Sequence, residues 1–175
     1  MTRGSVERLK RVVSLIGILW LVAGCGARSK SSGVVSSLEA LRSSLRTELR
    51  ERPQETWKIL HATVPLAASC SEGGLVLEKL LALAPFIGNA EFNEFLSGAV
   101  DRVILSNASC FLDAWERLSE QEKDWVATLV AHPITATEES LQQALQESAR
   151  PDIAKRVLDR ARSLADGSRP WPTSP

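Results

Sequence analysis

Along most of the chain apolar residues recur at three- and four-residue steps, the period that lines one face of an α-helix. Val35, Leu38, Leu41, Leu45 and Leu49 make the first stripe, with Arg42, Arg46, Glu48 and Arg50 on other faces. That stripe predicts a helix ending before Pro53, because the residue ahead of a proline disfavours helical geometry. Pro53 suits the first turn of a second helix carrying Trp57, Leu60 and Val64, which Pro65 is expected to end or kink. A loop through Cys70 to Gly73 and Gly74 follows. Leu75 to Ala84 is apolar on most faces, with Glu78 and Lys79 marking an outside, so it is expected to be central in the core and to stop before Pro85.

The clearest amphipathic segment starts after the turn Gly88-Asn89, where Asn89 offers an N-cap. Phe92, Phe95, Leu96, Ala99, Val100, Val103 and Ile104 follow there at helical spacing, and Cys110, Phe111, Ala114, Trp115 and Leu118 continue as another short helix. Ser119 with Glu122 has the spacing of a capping box, opening a helix through Trp125, Leu129 and Val130 that His132-Pro133 closes. Thr135 with Glu138 repeats the spacing before Leu141 and Leu145. A last helix begins at Pro151 and carries Ile153, Val157, Leu158, Ala161 and Leu164 up to Gly167. Alternating β-type runs are missing, so the pattern predicts an all-α domain over residues 34–166. Its architecture is either a compact bundle of about seven helices or a short stack of helical hairpins. The tail, residues 167–175, is expected to be disordered.

The first 24 residues stand apart from this pattern. Arg3, Arg8, Lys10 and Arg11 precede the apolar run Val12 to Gly24, about the length of a secretory signal core and short for a lone membrane span. The run closes on Leu21-Val22-Ala23-Gly24-Cys25, which resembles the lipobox of bacterial lipoproteins. The resemblance implies cleavage between Gly24 and Cys25, a diacylglycerol on the Cys25 sulfur and acylation of the new amino group. Two or three acyl chains, at about 0.8 kcal/mol per buried methylene, make a stable anchor. Gly26 stands where inner-membrane retention in enteric bacteria would place Asp, so the resemblance favours an outer-membrane position facing the periplasm. A rival cut after Ala27 would leave no lipid. Residues 25–33 then read as the lipidated Cys and a flexible tether.

With Cys25 assigned to lipid, Cys70 and Cys110 remain in an oxidising compartment, and a single disulfide is the economical reading; two separately buried thiols are the alternative. The two lie forty positions apart in similar Ala-Ser-Cys contexts, near the period of HEAT-type repeats. His61 and His132 are far apart in sequence without ligand spacing, so no metal site and no cofactor are expected.

Composition narrows the class further. A chain of 175 residues, 44% apolar and 24% charged, supports one ordinary globular domain, and 21 Lys+Arg against 21 Asp+Glu gives no nucleic-acid-binding tail. The balance is uneven along the chain: thirteen acids face four bases between Glu72 and Glu147, while the flanking segments are basic. Pairing of those flanks with the acidic middle is one reading. The other is an acidic face for a basic partner, for which Glu91, Glu94, Asp101, Glu120, Glu122 and Asp124 are the candidates.

Catalytic signals are weak. Neither histidine is placed as a base for a Ser or Cys nucleophile, and no phosphate loop, HExxH or Gly-x-Ser-x-Gly occurs. The carboxylate pairs Glu91/Glu94 and Glu138/Glu139 could serve a peptidoglycan-cleaving enzyme, but acids are expected at helix N-termini for dipole reasons alone. The expectation is a lipid-anchored, periplasm-facing helical domain that binds a protein partner without catalysis, in an assembly, escort or immunity role; a peptidoglycan-acting enzyme is the alternative. Trp171, between two prolines, is a further candidate recognition residue.

Overall fold

The computed structural model describes residues 31–86, 90–168, 170 and 172. The expected signal segment, Cys25, the expected Gly88-Asn89 turn and Asn89 cap, and Trp171 lie outside the described residues. The bundle is the unit Val34–Pro175. Among the described residues it contains helices and turns with no strand, so the domain is all-α. The helices are α1 (residues 31–51), α2 (Pro53–Ala68), α3 (Leu75–Leu81), α4 (Ala90–Glu116), α5 (Glu120–Ala131), α6 (Glu138–Gln146) and α7 (Pro151–Ala165).

Each stripe read from the sequence faces inward. Leu38, Leu41 and Leu45 of α1, Leu60 and Val64 of α2, and Ile153, Val157, Ala161 and Leu164 of α7 are buried. Helix α3 lies at the centre: Val76, Leu77, Leu80 and Leu81 have almost no exposure, and the following Leu83 and Ala84 are fully enclosed. It is three residues shorter than expected, because Pro85 has no N–H to continue the ladder and disfavours helical geometry at Ala84. A 3-10 turn, Ala84–Phe86, takes over, with the Phe86 amide donating to the Leu83 carbonyl at 3.0 Å.

Two further boundaries differ from the sequence reading. Pro65 does not end α2, which continues to Ala68. Pro65 and His61, whose carbonyl loses its donor, are both exposed, so water can satisfy that carbonyl and the last turn closes beyond it. Helix α6 starts two residues later than expected. Its N-cap is Thr137, whose hydroxyl accepts from the Ser140 amide at 3.2 Å, while Thr135 is bound to Asp101 on α4.

The two consecutive helices expected around Cys110 occur within one range that breaks at Asn107 (φ −159°, ψ 72°). Asn107 Oδ1 accepts from the Cys110 amide at 3.1 Å and so caps the second half. The Ser119–Glu122 capping box is present as read. Cys70 and Cys110 form a disulfide, with Cα atoms 5.9 Å apart, that ties the turn after α2 to the second half of α4. For a loop of 40 residues the chain-entropy account gives about 4 kcal/mol of stabilisation.

Candidate functional site

The six acids considered as one face are dispersed by the fold. Asp101 has 0% exposure: its Oδ2 accepts from the amides of Ile134, Thr135 and Ala136 at 3.0, 2.7 and 3.2 Å and from Thr135 Oγ1 at 3.0 Å. It is an internal clamp for the chain entering α6 and cannot meet a partner. Glu122 is also buried, engaged in its own capping box and in an ion pair with Arg42 of α1 at 2.5 Å.

Glu120 and Asp124 belong to a seam between α5 and α7. Arg160, whose side chain is 11% exposed, donates through Nε to Asp124 at 2.6 Å and through Nη2 to Glu120 at 2.8 Å, and Lys123 reaches the same Glu120 at 2.9 Å. One turn earlier on α7, Arg156 pairs with Glu116 at 2.6 Å, and Arg150 pairs with both Glu116 and Asp113. The Trp115 ring lies against these cations, with Lys123 Nζ 5.3 Å and the Arg160 guanidinium 5.8 Å from its centroid. Hydrogen bonds from Arg160 and then Lys123 hold the Glu120 carboxyl down at about 2, and the Arg156 hydrogen bond lowers that of Glu116. Four acids of the middle segment, Asp113, Glu116, Glu120 and Asp124, are thus paired by Arg150, Arg156 and Arg160.

Glu91 and Glu94 remain exposed, on the opening turns of α4. Beside them the half-buried Phe95 meets two rings of α2. Trp57 contacts Phe95 edge-on at 5.5 Å, His61 contacts it edge-on at 5.1 Å, and the Trp57 and His61 rings lie tilted at 5.8 Å one helical turn apart. Fully buried Phe92 supports the cluster from below, 6.3 Å from Phe95. The sequence places Trp57 on the apolar stripe of α2 and gives His61 no ligand or base role. The i, i+4 placement of a Trp and a His on α2 was the available signal, but that Phe95 would lie opposite them depends on how α2 and α4 cross.

Other features are more modest. A groove of about 260 Å³ lies where α5, α6 and α7 meet, floored by Val130, Leu141 and Ala161 and bordered by His132, Glu138 and Arg162. The described residues contain no cluster of His, Cys, Asp and Glu suited to a metal ion. His132 is the C-cap residue of α5, and every carboxyl with a displaced pKa is lowered by hydrogen bonds or neighbouring cations. No family model matches the chain, and no curated protein or solved structure matches it.

Proposed function

We propose that this chain is a lipid-anchored envelope lipoprotein, held at the outer membrane by Cys25 and facing the periplasm, whose helical domain binds a protein partner without catalysis. The anchoring rests on the lipobox-like run Leu21 to Cys25. The observation that carries the binding reading is the surface cluster of Trp57, His61 and Phe95, with Glu91 and Glu94 beside it. Partly buried aromatic rings seated on a packed core are side chains suited to protein interfaces, because they bury much area at small entropic cost. Acids near such a centre steer a basic partner and select its orientation. The partner chemistry that fits is a segment with an apolar anchor next to a lysine or arginine. An assembly or escort role suits this mixed surface better than immunity through a broad acidic face, since Glu120, Glu122 and Asp124 are committed to internal pairs.

The test uses the tagged full chain, extracted in detergent, as bait against the host's envelope extract. A partner recovered with the wild-type chain and lost with Trp57→Ala or Phe95→Ala supports the reading. Equal recovery with all three overturns the site. Cys25→Ser should abolish lipid labelling and release the protein from membranes, and unchanged attachment would sink the lipoprotein assignment.

A further inference from the structure

Two backbone irregularities meet at the Cys70–Cys110 bond. On one side the turn after α2 is left-handed almost throughout, with φ of 55° at Cys70, 53° at Glu72, 62° at Gly73 and 83° at Gly74. Cys70 and Glu72 carry a Cβ, so they hold this region only under constraint from their surroundings. On the other side Cys110 lies in the first turn after the Asn107 break, its amide bound by the Asn107 side chain. Gly74 fits between the two because it has no side chain: a Cβ there would stand 3.2 Å from Cys110 Sγ and 3.1 Å from Arg117 Nη2. The Arg117 side chain also reaches the turn, donating to the Gly73 carbonyl at 3.2 Å and to Glu78 at 2.7 Å. The next helix is anchored independently, by Leu77, Leu80 and Leu81 in the core.

We propose that the Cys70–Cys110 bond is a redox latch whose reduction releases the left-handed Cys70–Gly74 turn while the surrounding helices stay assembled. Cys70 is half-buried and Cys110 is buried at 3% exposure, so Cys70 is the more accessible residue of the two. A dithiol of the Cys-x-x-Cys class is the reductant. Its thiolate bonds to Cys70 Sγ, the Cys70–Cys110 bond breaks, and the Cys110 sulfur leaves as a thiolate and takes up a proton. The second thiol then attacks the mixed disulfide and expels the Cys70 thiolate, so two electrons pass to the protein and the reductant leaves as a disulfide. Freed from Cys110, Cys70 and Glu72 can return to negative φ.

The experiment compares amide hydrogen exchange in the oxidised full chain and in the chain reduced with dithiothreitol. The expected result is exchange about tenfold faster at residues 70–75 after reduction, read at times before global unfolding contributes, with the helical circular dichroism unchanged. Rapid alkylation during reduction should trap the mixed disulfide with Cys110 alkylated and Cys70 carrying the reductant. Glu72→Gly, which removes one strained Cβ, should narrow the difference between the two states. Equal protection at residues 70–75 in both states, loss of helical circular dichroism on reduction, or a trapped mixed disulfide on Cys110 would each overturn the latch.

Discussion

Thr135 is bound to Asp101 twice, its amide at 2.7 Å and its hydroxyl at 3.0 Å from the same Oδ2 atom. The amides of Ile134 and Ala136 share that acceptor, so one buried oxygen fixes three consecutive residues between α5 and α6. Oδ1 is buried with no hydrogen-bond partner among the described residues. Asp101→Ala leaves these donors without an acceptor and is expected to cost about 3 kcal/mol, whereas Thr135→Val, which removes one of four bonds, costs about 1 kcal/mol. Asp101→Asn keeps one carbonyl oxygen at the site and should fall between them. Urea denaturation measures all three. A loss for Asp101→Ala no larger than for Thr135→Val would contradict the clamp.

The seam between α5 and α7 gives stability a defined pH dependence. Glu120 is lowered from 4.5 to about 2 in the folded chain by Arg160 and Lys123. A carboxyl whose folded pKa is depressed contributes its full stabilisation above 4.5, and that contribution is lost as pH falls from 4.5 towards about 2. Because the Glu120 side chain is 74% exposed, water screens the pair and the contribution stays below about 1 kcal/mol. Melting temperature should therefore fall from about pH 5 to about pH 3 less steeply in Glu120→Gln than in the wild type. Identical slopes would remove Glu120 from the acid response.

Gly74 and Asn107 test the two joints at the disulfide by opposite means. Gly74→Ala adds a Cβ at φ 83° against Cys110 Sγ and Arg117, and should destabilise by about 2 kcal/mol. Asn107→Ala removes the side chain that accepts from the Cys110 amide and should cost about 1 kcal/mol. Calorimetry on the oxidised chain measures both, and a neutral Gly74→Ala would mean that the turn is looser than its geometry requires.

The helices were legible because each buries one face, and burial writes a 3.6-residue period into the sequence: the α4 positions Phe92, Leu96, Val100 and Val103 were assigned inward and are enclosed. The Ser119–Glu122 cap was legible for the same reason, since both partners sit within one turn. Local patterns carry no record of tertiary demands. Asp101 reads as a solvent-facing acid beside Arg102, and its burial follows from a loop 33 residues away that needs an acceptor. The same loop consumes Thr135, which is why the second capping box begins at Thr137. Likewise, the charges of Glu120 and Asp124 were legible but their pairing was not, because Arg160 arrives from a helix packed later in the chain.

Asn107 also divides a long apolar helix. Residues Ala90–Glu116 form the one described helix long and apolar enough to cross a membrane by length and composition. The break leaves 17 helical residues before Asn107 and nine after it. At 1.5 Å per residue the longer piece extends about 26 Å, short of a hydrocarbon layer of about 30 Å. The residue that seats Cys110 in the folded domain therefore also divides this helix into two pieces, each too short to cross that layer as a straight rod.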